Sequence, residues 1–466
     1  MIGQKSFDID FRDFVKTISS SDYISDGGYS TRTIGCNPFA VPGLMYPSSP
    51  LVDVSTNLVG RMMMSVDNNT TASGIDRFMV ARNTSTNDGT YYHWNGTALT
   101  LKRTDSTNNY TYGKNDIITF ANEIYATSNE ALIRWTADDV TFNVAFQAFN
   151  DSAAPHPALL YENNAYYGDG NELWRQTTVA VAPTIILTLP TDRVIISLGI
   201  DPGSGRMLIS TVSTLNISNT LSTISRVDYY DGFSSKTIRT VIVDDMVTAF
   251  YPVGGTVYVT YGQRLGYWTG TGIQFLRKLT VTLDNASLAY KHHITNIGNT
   301  LYVVSVRNIL AYGEIINGQP KAFYHIYKDS ADIGFVVNLG SNKLGIGVTS
   351  ANTFVTFDVL KIDHTTLGTS DFYSNKYPFD RPVIFNQVTI EFGEDMPTDG
   401  NAIGGMSVID ENGLPTSLGN ASNTVSTKKE YTLPWPTLQL RSLQLNWTWL
   451  KNISIKRFTV FYTPKE

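Results

Sequence analysis

The six histidines, His93, His156, His292, His293, His325 and His364, are the side chains best suited to metal or acid–base chemistry. None shows the close spacing of a zinc site, and no His-Glu-x-x-His run is present. Structural or surface roles are expected for all six. Neither a Gly-x-Ser-x-Gly elbow nor a Gly-rich loop followed by Lys-Ser/Thr occurs. Three carboxylate pairs, Asp138–Asp139, Asp244–Asp245 and Glu394–Asp395, are adjacent in sequence. Neighbouring strand residues point to opposite faces, so these pairs do not by themselves make a two-carboxylate hydrolytic site. Asp201, Asp231 and Asp410 sit in Gly-containing turns that could present oxygens to calcium. Asp bonding its own backbone explains them more simply. The single cysteine, Cys36, cannot make an internal disulfide. No catalytic residue, cofactor or metal ligand is expected.

The elements that would position such residues are strands. Sustained helical periodicity is absent, and short apolar/polar alternations bounded by Gly, Asn and Asp recur from about residue 58 onward. An aromatic near a turn repeats at Trp94, Trp135, Trp174, Tyr230, Trp268 and Tyr312, at intervals of 41, 39, 56, 38 and 44 residues. Upstream, a turn residue precedes a tyrosine by three, as Asn122–Tyr125, Asn164–Tyr167, Gly255–Tyr258 and Asn299–Tyr302. A period near 40 holds four short strands, one propeller blade. A single small sheet cannot bury both faces, and stacking blades around an axis solves that problem. The expected fold is all-β, a propeller over 58–367 with unit starts near 77, 117, 157, 193, 246, 294 and 334. Seven blades fit, with six as the alternative. The strand in 58–67 is expected to close the ring. Tyr125, Trp135, Tyr167, Trp174, Tyr258, Trp268, Tyr302 and Tyr312 are expected in the core between blades.

Residues 1–57 differ, because Pro and Gly interrupt any strand alternation while Phe39, Val41, Leu44, Met45 and Tyr46 are too apolar for a solvated tail. They read either as a strap across the chain's own β domain or as an extended arm docking on a neighbouring subunit; the second is the expectation taken here, with Pro38, Phe39, Pro42, Leu44 and Tyr46 at the contact. Residues 368–466 read as a β-sandwich, with an alternation slip near Ser442 that a bulge could absorb.

Composition narrows the function. The chain is 42% hydrophobic and 12% aromatic, enough for a large core. Only 16% of residues are charged, against roughly 25% in typical soluble domains. A net charge of −6, from 35 basic and 41 acidic residues, argues against gripping phosphates. The charged start MIGQKSFDIDFRDF does not read as a signal peptide, and no run of 18 apolar residues occurs, so a soluble chain without membrane insertion is expected.

The layout, an extended segment SDGGYSTRTIGCNPFAVPGL, then a propeller, then a C-terminal β domain ending LQLNWTWLKNISIKRFTVFYTPKE, resembles that of tailed-bacteriophage virion proteins. It is most similar to tail hub or nozzle proteins of short-tailed phages. That resemblance implies a non-enzymatic structural subunit of the virion, assembled in the bacterial host cytoplasm into a homo-oligomeric ring, sixfold by expectation. Portal or adaptor and other tail proteins would be its neighbours, and DNA would be only passing cargo. Two other readings stay open: a fibre or tail-tip receptor/glycan-binding protein, and a glycan-cleaving propeller enzyme. For the latter, Thr136–Phe142 is similar to the Asp-box of sialidases but lacks its glycine.

Overall fold

The computed structural model describes residues 4–10, 30–34, 36–37, 44–47, 51–55, 58–67, 76–136, 140–213, 224–279, 289–305, 308–314, 320–328, 331–349, 355–362, 371–374, 376–398, 400–423, 429–434, 438–451 and 453–465. It divides into two compact units, one of Met1–Val52, Asn308–Asp329 and Leu360–Glu466, the other of Asp53–Arg307 and Ser330–Val359.

Five strands come first: β1 (Lys5–Asp10), β2 (Ser30–Ile34), β3 (Cys36–Asn37), β4 (Tyr46–Pro47) and β5 (Leu51–Ser55). Seven four-stranded sheets follow. Blade 1 is β6 (Arg61–Asp67), β7 (Arg77–Arg82), β8 (Gly89–Trp94) and β9 (Leu99–Asp105). Blade 2 is β10 (Ile117–Phe120), β11 (Glu123–Thr127), β12 (Ala131–Thr136) and β13 (Phe142–Ala148). Blade 3 is β14 (Ala158–Tyr161), β15 (Asn164–Asp169), β16 (Glu172–Gln176) and β17 (Thr184–Thr188). Blade 4 is β18 (Arg193–Asp201), β19 (Arg206–Ser213), β20 (Ser225–Tyr230) and β21 (Arg239–Val243). Blade 5 is β22 (Val247–Val253), β23 (Thr256–Tyr261), β24 (Arg264–Trp268) and β25 (Ile273–Lys278). Blade 6 is β26 (Ile294–Ile297), β27 (Thr300–Ser305), β28 (Asn308–Glu314) and β29 (Pro320–Lys328). Blade 7 takes β30 (Asp332–Gly340), β31 (Lys343–Thr349) and β32 (Val355–Lys361), and β5 is its fourth strand. The fold is a seven-bladed β-propeller.

Tight turns make these sheets. Ala121–Asn122, Glu162–Asn163 and Gly254–Gly255 each carry positive φ at both central residues, the two-residue hairpin geometry whose twist matches that of the strands. Six of the expected unit starts fall within two residues of an inner strand. The first does not: blade 1 begins at Arg61, because the strand expected to close the ring is its innermost strand. Closure instead falls to β5. Pairing this early strand with β32 removes two exposed edges at once. Blades 1 and 7 then share a core of Met62, Met79, Trp94, Phe335 and Phe357.

The other unit is built on β33 (Asp371–Ser374), β34 (Tyr377–Phe392), β35 (Gly400–Ile409), β36 (Pro415–Asn423), β37 (Glu430–Pro434), β38 (Gln439–Trp449) and β39 (Ile455–Pro464). Its path of hydrogen-bonded strands runs β1-β39-β34-β38-β33-β2, with β35 on β38, β36 on β35 and β37 on β34. Two halves therefore join through β34 and β38 rather than standing as separate sheets. Their inward faces share one core, which includes Phe385, Ile390, Trp447, Trp449 and Phe458. The expected slip is present: Leu440 and Ser442 are buried, then Leu443, Leu445, Trp447 and Trp449. Its partner strand absorbs the change between Pro378 and Val383.

The described parts of residues 1–57 pair with strands of their own chain, as a strap across its own β domain would. β1 pairs with β39 over all six of its residues, and β2 pairs with β33. Met45 exchanges both backbone hydrogen bonds with Ile455, at 2.9 and 3.0 Å. Leu44 packs against Gly393, and buried Tyr46 aims its hydroxyl at Glu394 Oε2, 3.4 Å away. Pro38, Phe39 and Pro42 lie outside the described residues. Gly and Pro leave room for short ladders of two to six residues, which give the backbone of these described strands partners within the chain.

Candidate functional site

The repeated aromatics serve packing. Trp94, Trp135, Trp174, Tyr230 and Trp268 all lie on the third strand of a blade and join the core shared with the preceding one. Trp135 meets Phe78 of blade 1 edge-on at 4.7 Å, and Trp268 Nε1 donates to Tyr229 Oη of blade 4 at 2.8 Å. Tyr125, Tyr167, Tyr258 and Tyr302 are buried as well. The side chain of Tyr312 lies outside the described residues. One alignment shifts: the blade 3 counterpart of Tyr125 is Tyr166, the third residue of its strand, while Tyr167 faces back to blade 2.

A different set of residues gathers at the propeller axis. The connection from β25 to β26 brings Ala289–His293 in among the inner strands. Thr248 Oγ1 of blade 5 donates to the Ala289 carbonyl. The Tyr290 ring sits so close to Gly113 that a Cβ there would fall 1.9 Å from it, and Gly113 also has φ +72°. Lys291–His293 then form a 3₁₀ turn.

Lys291 Nζ donates to Asp116 Oδ2 at 2.8 Å and Oδ1 at 3.0 Å, and points at the Ala158 carbonyl at 3.4 Å. His292 Nε2 lies 3.0 Å from Asp116 Oδ1, and the Ser65 N–H donates to His292 Nδ1 at 3.4 Å. A ring nitrogen that accepts carries no proton, so His292 is the neutral Nε2–H tautomer. His293 Nδ1 accepts the Tyr290 N–H at 3.0 Å, and the ring also bonds the Gly334 backbone in blade 7. The turn thus touches blades 1, 2, 3, 5 and 7 and plugs the axis.

Burial by itself would raise the Asp116 carboxyl, but the Lys291 charge and the His292 hydrogen bond outweigh it and hold the group well below the usual carboxylate range. Burial lowers His292, and burial together with neighbouring His292 pushes His293 down to about 3. Asp116 also accepts the backbone N–H groups of Ile117 and Ala158, at 2.8 and 3.1 Å. A carboxylate has about four lone-pair directions. With five hydrogen bonds from four donor groups on it, Asp116 has none left to take a substrate proton. The cluster has the residue types of an acid–base site and the geometry of a structural knot.

Sequence reading missed this knot because 175 residues separate Asp116 from Lys291. The available signal was the run Tyr290-Lys-His-His293, polar and aromatic together in an inter-blade connection. The turn carboxylates behave as expected, since Asp201, Asp231 and Asp410 each accept backbone N–H groups two to four residues ahead. His156 is buried with its two ring nitrogens facing the Gly168 and Asn129 carbonyls, stacked 3.9 Å from Phe149.

Comparison with known proteins adds little beyond shape. No family model matches the chain, and no curated protein does. Among solved structures, one titled "Structure of Dos1 propeller" is 9% identical, with a TM-score of 0.44, over 69% of this chain and 97% of that one. Another, "Crystal Structure of Mitotic Checkpoint Complex", is 9% identical, with a TM-score of 0.42, over 66% of this chain and 94% of that one. Propeller geometry here rests on the seven sheets themselves. Among the described residues, no helix is long and apolar enough to cross a membrane.

Proposed function

We propose that this chain is a structural, non-enzymatic component of a bacteriophage tail, a subunit of a ring-like hub or nozzle around the DNA exit path. Support comes from the order of parts, an N-terminal segment, a propeller and a C-terminal β unit, which is the layout the sequence shares with such proteins. The observation that carries the reading is the filled axis. Ala289–His293 occupy the centre of the propeller and are tied to five blades. DNA passing such a subunit must therefore run between subunits, in the lumen of a ring, and a net charge of −6 suits a wall that does not hold it. Closed rings use heterologous contacts, so each subunit would present two different faces to its neighbours.

The test is stoichiometry. Quantitative mass spectrometry of purified tails should find this chain at six copies per particle, beside portal or adaptor proteins. A single copy, or absence from the particle, would overturn the reading.

A further inference from the structure

Above the plug, the inner strands of blades 1, 2, 3, 5, 6 and 7 enclose an open recess of about 410 Å³ with Lys291 and His292 in its floor. That volume falls in the roughly 300–1,000 Å³ range of small-molecule sites. Each charge in the recess already has its counter-charge. Lys291 is paired with Asp116, and the exposed Asp67 carboxylate lies 2.7 Å from Arg77 Nε. An ionic guest would find no net charge to balance its own.

The polar wall consists largely of hydrogen-bond acceptors. Thr119 donates its hydroxyl proton to the Asp67 carbonyl at 2.6 Å, and Asn338 donates its amide to the Asn296 carbonyl at 2.8 Å. Lys291 directs its protons at Asp116 and Ala158. The Asn296 and Asn338 amide oxygens each accept one bond already, from the Tyr251 hydroxyl at 3.1 Å and the Gly340 N–H at 2.8 Å, and each keeps a second lone pair, as do the Thr119 hydroxyl and the Asp67 carboxylate. Beside them stands Leu160, 44% exposed on inner strand β14. An apolar side chain open to a polar recess adds nothing to the blade core, yet would pack against the C–H face of a guest.

We infer that this recess is a binding site for a neutral, donor-rich, polyhydroxylated ligand, a mono- or disaccharide. Ligand hydroxyls would donate to Asp67, Thr119 and the amide oxygens of Asn296 and Asn338, with a ring face on Leu160. The inference concerns the propeller axis alone and stands apart from the assembly role proposed above.

Saturation-transfer NMR on the full chain, with glucose, galactose, N-acetylglucosamine and lactose each at up to about 50 mM, tests it. At least one sugar should receive saturation at its C–H protons. Leu160→Arg, which fills the recess from an exposed position, should weaken that binding by about tenfold or more, with an unchanged melt. If Leu160→Arg perturbs the fold, Leu160→Ser replaces it and should still weaken binding through the lost apolar contact. No transfer to any of the four sugars would overturn the inference. So would transfer unchanged in a folded Leu160 variant, or sugar displaced by equimolar phosphate or acetate.

Discussion

Trp135 and Trp268 sit at the ends of the third strands of blades 2 and 5 and are almost fully buried. Truncating either removes a large apolar surface and leaves a cavity between two sheets that cannot close over it. Trp135→Ala or Trp268→Ala should cost about 3–5 kcal/mol in denaturant unfolding. Lys291→Met strips the principal counter-charge from buried Asp116 and should cost about 3–5 kcal/mol in the same measurement. The two buried histidines of the plug set a pH dependence. His293 has a folded-state value near 3 against 6.5 for the free side chain, so between these limits the unfolded chain binds more protons. Stability therefore rises with pH across that window and is lost as pH falls from about 6.5 toward 3. Melting temperatures followed from pH 8 to pH 4 should fall along this limb, and His293→Asn should flatten it.

At the scale of elements, the N-terminal strands divide their work. β1 and β2 extend the sheet of the C-terminal unit, where Ile9 is buried and Phe7 packs 4.9 Å from Tyr377. β5 completes blade 7. Two deletions separate these roles. Removing residues 1–50 takes away β1 and β2, so it should destabilise the C-terminal unit and leave the ring of blades closed. Removing residues 1–57 takes β5 as well and should also open blade 7. Hydrogen exchange should then report lost protection in β10–β12 for neither deletion, and in β32 for the second alone. Protection of β32 that survives the longer deletion would show that closure does not depend on β5.

Across the whole molecule, a seven-bladed ring spends its aromatic residues on contacts between blades and its central space on a plug. The proposed ring role predicts six copies per tail. Association should be weak for the isolated chain if ring contacts form only with neighbouring tail proteins in place, which sedimentation of the purified protein would check. A stable ring formed by the chain alone would mean that it nucleates the assembly.

The period of the aromatics was legible in the sequence because a third-strand aromatic recurs in blade after blade to fill the same kind of gap. Trp94, Trp135, Trp174, Tyr230 and Trp268 mark that position, and six inner strands could be located from it. Turn chemistry was legible for the same local reason: Asn122 and Gly255 supply the positive φ their hairpins need. Ring closure was not, because pairing of β5 with β32 joins segments some 300 residues apart and leaves no local pattern. β1 poses the same problem, since Lys5–Asp10 could dock on any open edge and only the assembled sheet selects β39. The knot of Asp116, Lys291 and His292 is the extreme case. Each residue alone is an ordinary polar side chain in a connection, and burial on a shared axis, which the tertiary structure alone creates, turns three of them into one interaction.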